Sequence, residues 1–135
     1  MKGIYVLLIQ LTRDLDIGID ALGTKHFAKG SYAYVGSAQI NLEKRISRHF
    51  KLEKRKFWHI DYLLDNQVAK IEKVLFKEAP KTEECTIATE ISQRNKAIFG
   101  FGCSDCNCKS HLFQIEKTDF LFEVMKELKT NKLSS

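Results

Sequence analysis

The stretch that decides the fold is YAYVGSAQINLEKRISRH, residues 32–49. Its first half has the period-two character of a half-buried strand and stops at Gly36. Its second half changes period. Asn41 is a good helix N-cap, and Leu42, Ile46 and Phe50 recur every four residues, which predicts a helix over about 42 to 55 with its apolar stripe on a sheet. Two choices in this segment exceed what a strand and a helix need. Tyr34 stands directly before a Val-Gly step, and Arg45 and His49 lie one turn apart on the same helix face.

Outward from that segment, IYVLLIQL at 4–11 reads as a buried strand. LDIGIDAL and the run from Gly23 to Gly30 read as two further short strands, so the first third predicts an antiparallel meander. Downstream, WHIDYLL predicts a short second helix and residues 70 to 77 a strand. Pro80 breaks the chain. Thr82 is placed to cap a helix from 83 to about 94, whose positive end suits Glu83 and Glu84. SHLFQI predicts a strand, and Thr118 or Asp119 starts an amphipathic helix through Lys129. This order implies an α/β (α+β) domain, with helices packed on one sheet.

The 135 residues are expected to form one domain over 1–130, followed by a frayed tail at 131–135. Apolar residues at 44% and charged residues at 29% exclude a disordered chain. IYVLLI is too short to span a membrane and lacks a signal-peptide cleavage pattern, so a soluble, cytoplasmic protein without a membrane partner is the expectation. The net charge of +5 is concentrated. From Glu43 to Lys56, seven basic residues (Lys44, Arg45, Arg48, Lys51, Lys54, Arg55 and Lys56) meet two acids. Such a stripe suits a polyanion, because each neutralised phosphate releases counterions; it equally suits a solvated helix face.

Four motifs occur in order: Gly3-Ile4-Tyr5, Tyr34-Val35-Gly36, Arg45 on the following helix, and Glu84 opening a later one in ECTIA. In this pattern the chain resembles the GIY-YIG nuclease superfamily. With YAYVGSA, WHIDYLL, GFG, SDC and SHLF it looks like an archaeal-type branch of it across nearly the whole chain. The resemblance implies a small central antiparallel or mixed sheet flanked by helices, with an extra hairpin near the N-terminus. It also implies a DNA endonuclease that hydrolyses a phosphodiester bond with one Mg²⁺ or Mn²⁺, in DNA repair or processing.

The residue roles follow from the same resemblance. Glu84 carries the metal, and a single carboxylate suits Mg²⁺, which keeps several waters. Tyr5 and Tyr34 lie side by side, one as general base or water-orienting group, the other positioning the phosphate. A phenol of pKa about 10 needs a nearby cation for a base role. Arg45 binds the phosphate through its fork of donors, and His49 binds phosphate or shuttles a proton. Gly36, Ser37, Lys44, Arg48, Lys51, Arg55 and His59 are the candidate nucleic-acid contacts. Each residue has a plainer use: cross-strand packing for the tyrosines, surface charge for Arg45, helix-end stabilisation for Glu84, packing for His49. A non-catalytic nucleic-acid-binding module is therefore the alternative function.

Two features depart from the family pattern. Ser37 stands where Lys or Arg often follows the second motif, and Tyr5 and Tyr34 are farther apart than usual, consistent with a hairpin around Ile17 to Gly30. Cys103, Cys106, Cys108 and His111 form a second cluster that three thiolates and an imidazole turn into a possible Zn²⁺ site. Reduced thiols are the competing expectation, and Cys85 is placed to reach the same region. Asp105 and His111 are also candidates to line the active-site groove.

Overall fold

The structure, a computed structural model, describes residues 2–19, 22–51, 59–65, 67–98, 101 and 110–128. In chain order its elements are β1 (Gly3–Leu11), β2 (Leu15–Ile19), β3 (Gly23–Phe27), β4 (Gly30–Ala38), α1 (Leu42–His49), α2 (His59–Leu64), β5 (Ala69–Lys77), α3 (Glu83–Ser92), β6 (Lys96–Ala97), β7 (Leu112–Gln114), α4 (Asp119–Val124) and β8 (Lys126–Leu128). A six-stranded sheet in the order β6-β7-β4-β1-β5-β8 carries the fold, and every pairing in it is antiparallel. The mixed α+β architecture with an added hairpin matches the expectation from sequence.

The apolar run of β1 explains its central place. Strands covered on both faces need apolar residues at every position, not at alternate ones. Tyr5, Leu7, Ile9 and Leu11 enter one core with Tyr32 and Tyr34 of β4, Leu42 and Ile46 of α1, and Ile60 and Leu63 of α2. Ile4, Val6 and Leu8 enter the other, with Ala33 and Val35 of β4, Ile87, Ala88 and Ile91 of α3, and Leu121 of α4. The sheet is thus a middle layer, its faces distinguished by alternation along each strand.

The meander expected in the first third is corrected. β1 pairs with β4 along its whole length, from Gly3↔Ala38 to Leu11↔Gly30. That register closes the connection at Leu11 and Gly30, so β2 and β3 leave the sheet and pair only with each other. The Asp14 carboxylate accepts from the Lys29 backbone N–H at 2.7 Å, which joins the two ends of the excursion. Ile19 and Phe27 of the hairpin are buried in the tyrosine-side core.

Asn41 caps α1 as expected, its Oδ1 accepting from Lys44 N–H at 3.0 Å. The helix ends at His49, short of the expected 55. Its exit tightens into three-residue steps, Phe50 N–H to Ser47 O and Lys51 N–H to Arg48 O, and Phe50 is left exposed. Thr82 makes no side-chain cap. Instead Glu83 and Glu84 donate their N–H groups to the carbonyls of Pro80 and Lys81, so the turn after Pro80 starts α3. The C-terminal helix expected through Lys129 stops at Val124. Buried Met125 turns extended, and β8 pairs with Val74, Leu75 and Phe76, covering an edge β5 would otherwise present. The expected tail at 131–135, and Trp58 at the start of the WHIDYLL segment, lie outside the described residues.

Candidate active site

Tyr5 on β1 pairs with Gly36 on β4, and Leu7 pairs with Tyr34. The two tyrosines therefore share a face on a diagonal rather than standing directly opposite. Gly36 is required by that geometry. The Tyr5 ring lies across the neighbouring strand, and a Cβ on Gly36 would overlap its outer ring atoms. Gly3 serves similarly on the other side, where a Cβ would run into the Lys77 carbonyl of β5. The glycines of both motifs allow close approach within the protein.

The last two turns of α1 bring the other groups to this point. The Tyr5 hydroxyl and His49 Nε2 are 2.6 Å apart and share one proton-bearing contact, with roles set by the imidazole tautomer. The His49 ring sits between the tyrosines, with centroid separations of 5.4 Å to Tyr5 and 6.1 Å to Tyr34. One turn earlier, Arg45 donates through Nη1 to the Ser37 carbonyl at 3.0 Å and hydrogen-bonds the Tyr5 phenol. Tyr5, Tyr34 and His49 are buried, and Arg45 is half-buried.

Burial dominates the electrostatics of both phenols. It pushes Tyr5 well above the ordinary tyrosine range, against the downward pull of the Arg45 charge; the charge of Glu84 adds to the rise. Tyr34 is also raised, first by burial, then by Tyr5 and by the charges of Glu84 and Asp61. Both are therefore neutral phenols at neutral pH, able to donate a hydrogen bond.

Glu84 occupies the first turn of α3 and is buried. A salt bridge of 3.1 Å between Lys77 Nζ and Glu83 Oε1 ties that turn to the end of β5. The Glu84 Oε2 lies 3.9 Å from Nδ1 of buried His111, just ahead of β7. Cys85, the next residue on α3, is disulfide-bonded, which corrects the expectation of a reduced thiol there. The sequence could not give that pairing, because it depends on how α3 packs.

Among the proposed nucleic-acid contacts, Lys44 and Lys51 are exposed, while Ser37 is engaged by Arg45. Arg48 forms a two-pronged ion pair with Asp61, both nitrogens at 3.0 Å from carboxylate oxygens. Asp61 is fully buried, so this pair binds α1 to α2. His59 packs edge-on against Phe101 at 5.6 Å, and Phe101 in turn against Tyr34 at 6.3 Å. Arg55, Cys103, Asp105, Cys106 and Cys108 lie outside the described residues. Sequence reasoning assigned Asp61 no role, and it named His111 both with the cysteines and as a candidate to line the groove. The signal for Asp61 was an acid inside the apolar pattern of WHIDYLL.

The family described as Domain of unknown function DUF123 matches residues 4–133. The chain belongs to the DUF123 family. The DUF123 match spans every site residue from Tyr5 to His111. Comparison with curated proteins and with solved structures gave no match. No helix among the described residues is long and apolar enough to cross a membrane.

Proposed function

We propose that this chain is a GIY-YIG-type endonuclease that hydrolyses a phosphodiester bond in DNA with one divalent cation. The observation that carries the reading is the 2.6 Å contact between the Tyr5 hydroxyl and His49 Nε2, with Arg45 bonded to the same phenol. Packing alone has no need to bring two polar side chains, His49 and Arg45, to one buried hydroxyl, since each must be desolvated to get there.

Glu84 is the residue that would hold the cation. A buried carboxylate fits that role, because a bound cation offsets the cost of burying its charge, and oxygen donors suit Mg²⁺ or Mn²⁺. When bound, the cation supplies Lewis acidity at the phosphate and stabilises the leaving oxygen. The chain's own residues do the rest. Arg45, fixed by Ser37, holds a phosphate oxygen with a planar array of donors. Tyr5, kept neutral by burial, acts as a relay rather than as a standing phenolate. As the water oxygen bonds to phosphorus, its proton passes to the Tyr5 oxygen and the Tyr5 proton passes to His49 Nε2. The P–O bond to the leaving oxygen breaks with its electron pair on that oxygen. Tyr34 packs against His49 and keeps the imidazole in line.

Burial of both phenols favours one second reading, a DNA-binding module without catalysis. A panel of branched, flapped and damaged DNA, incubated with the protein and Mg²⁺ or Mn²⁺, separates the two. Cleavage that Glu84→Ala abolishes and Tyr5→Phe strongly reduces is the expected result. Salt-sensitive binding with no cleavage, indifferent to Glu84→Ala, would establish the module instead.

A further inference from the structure

His111 has no part in the relay, yet its side chain is buried against the carboxylate assigned to the cation. Its backbone is held on both sides. The His111 N–H donates to the Phe101 carbonyl and its own carbonyl accepts from Val35 N–H, each at 2.8 Å. Next to it, the buried Ser110 hydroxyl donates to the Leu112 carbonyl at 2.9 Å and accepts from the Leu112 N–H at 3.0 Å. The imidazole is therefore delivered to Glu84 from a firmly paired strand end, while Glu84 arrives from a helix on another part of the chain.

The separation of the two groups is informative. At 3.9 Å, His111 Nδ1 and Glu84 Oε2 are beyond the roughly 3.2 Å reach of a hydrogen bond, and an imidazolium–carboxylate pair would close to about 2.8 Å. Ligand atoms on one small divalent cation each lie about 2.0–2.2 Å from it, so neighbouring ligands stand roughly 3.0–3.5 Å apart and opposite ones up to roughly 4.4 Å apart. The observed spacing falls inside that span. No group of three or more His, Cys, Asp or Glu side chains suited to a metal occurs among the described residues. Two protein ligands leave the remaining positions to water and phosphate oxygens, which a catalytic cation requires.

The geometry points to His111 Nδ1 as a second protein ligand of the divalent cation, beside Glu84. This rests on the reading of Glu84 as the cation's carboxylate. An imidazole ligand biases the site toward ions that accept nitrogen, such as Mn²⁺, Ni²⁺ or Zn²⁺, relative to Mg²⁺.

The test is Mn²⁺ binding to the full chain, followed by pulsed electron paramagnetic resonance without DNA. Directly bound imidazole gives a nitrogen coupling that changes when histidine carries the heavy nitrogen isotope. That coupling is expected in the wild-type protein and in His49→Gln, and lost in His111→Gln. By calorimetry, Ni²⁺ affinity is expected to fall about tenfold or more in His111→Gln. Mn²⁺ binding that depends on Glu84 but shows no histidine coupling overturns the His111 assignment and leaves the nuclease reading standing. Coupling lost in folded His49→Gln overturns it as well, and this arm holds even where His111→Gln does not fold. Binding unchanged in Glu84→Gln, or no Mn²⁺ binding, overturns the Glu84 reading and this inference with it.

Discussion

A methyl group on Gly36 would occupy space already filled by the Tyr5 ring, and that ring is held by His49 and Arg45. Gly36→Ala is therefore expected to lose about 1–3 kcal/mol in urea unfolding, the usual cost of overpacking a core, and to abolish DNA cleavage. Gly18→Ala is the control, because nothing lies within 4 Å of its added carbon, and its stability should stay within about 0.5 kcal/mol of wild type. Tyr5→Phe keeps the ring but removes the hydroxyl that partners His49 Nε2. Cleavage should fall about a hundredfold or more, with a stability loss of about 1–3 kcal/mol, measured by single-turnover kinetics and urea titration. The tripeptides containing Gly3 and Gly36 were legible in the sequence. Their physical reason was not, because what each glycine accommodates lies on another strand.

At the scale of elements, α1 carries two kinds of basic residue that look alike in sequence. Arg48 is spent on Asp61 of α2, whereas Lys44 projects from the first turn into solvent. Asp61→Ala is expected to cost about 3 kcal/mol or more in urea unfolding, since it strands a half-buried guanidinium and unties two helices. Lys44→Ala should leave stability unchanged and reduce the salt slope of DNA binding by about 1, as the loss of one phosphate contact does. Charge spacing on a helix gives which residues share a face. It does not give which charge a neighbouring helix will claim. The end of α4 shows the same limit: the amphipathic pattern ran on to Lys129, but the open edge of β5 took residues Lys126–Leu128 as a strand.

At the scale of the molecule, the raised phenols set a direction for alkaline stability. Tyr5 and Tyr34 keep their protons in the folded state at pH values where the unfolded chain loses them, from about pH 10 upward. Below that pH both states bind the proton and stability is unaffected by these groups. Above it the unfolded state binds fewer protons, so stability falls as pH rises, by about 1.4 kcal/mol per pH unit for each buried phenol. Urea midpoints from neutral to alkaline pH should be flat and then fall, and absorbance titration should show tyrosine ionisation coinciding with unfolding. Ionisation of all four tyrosines near pH 10 in the folded protein would contradict this.

The sequence by itself determined the apolar character of β1 on both faces, the cap at Asn41, the change from strand to helix period between Gly36 and Leu42, and the order Tyr5, Tyr34, Arg45, Glu84. These are local: periodicity and capping act within a few residues, so a chain read alone contains them. Only the tertiary structure decided that Tyr5 bonds to His49 across 44 positions, that β2 and β3 leave the sheet, that Asp61 takes Arg48, and that Glu84 meets His111. Each of those depends on sheet register and on which helix covers which face. Such choices are fixed by packing the whole core at once, and no short window of sequence carries them.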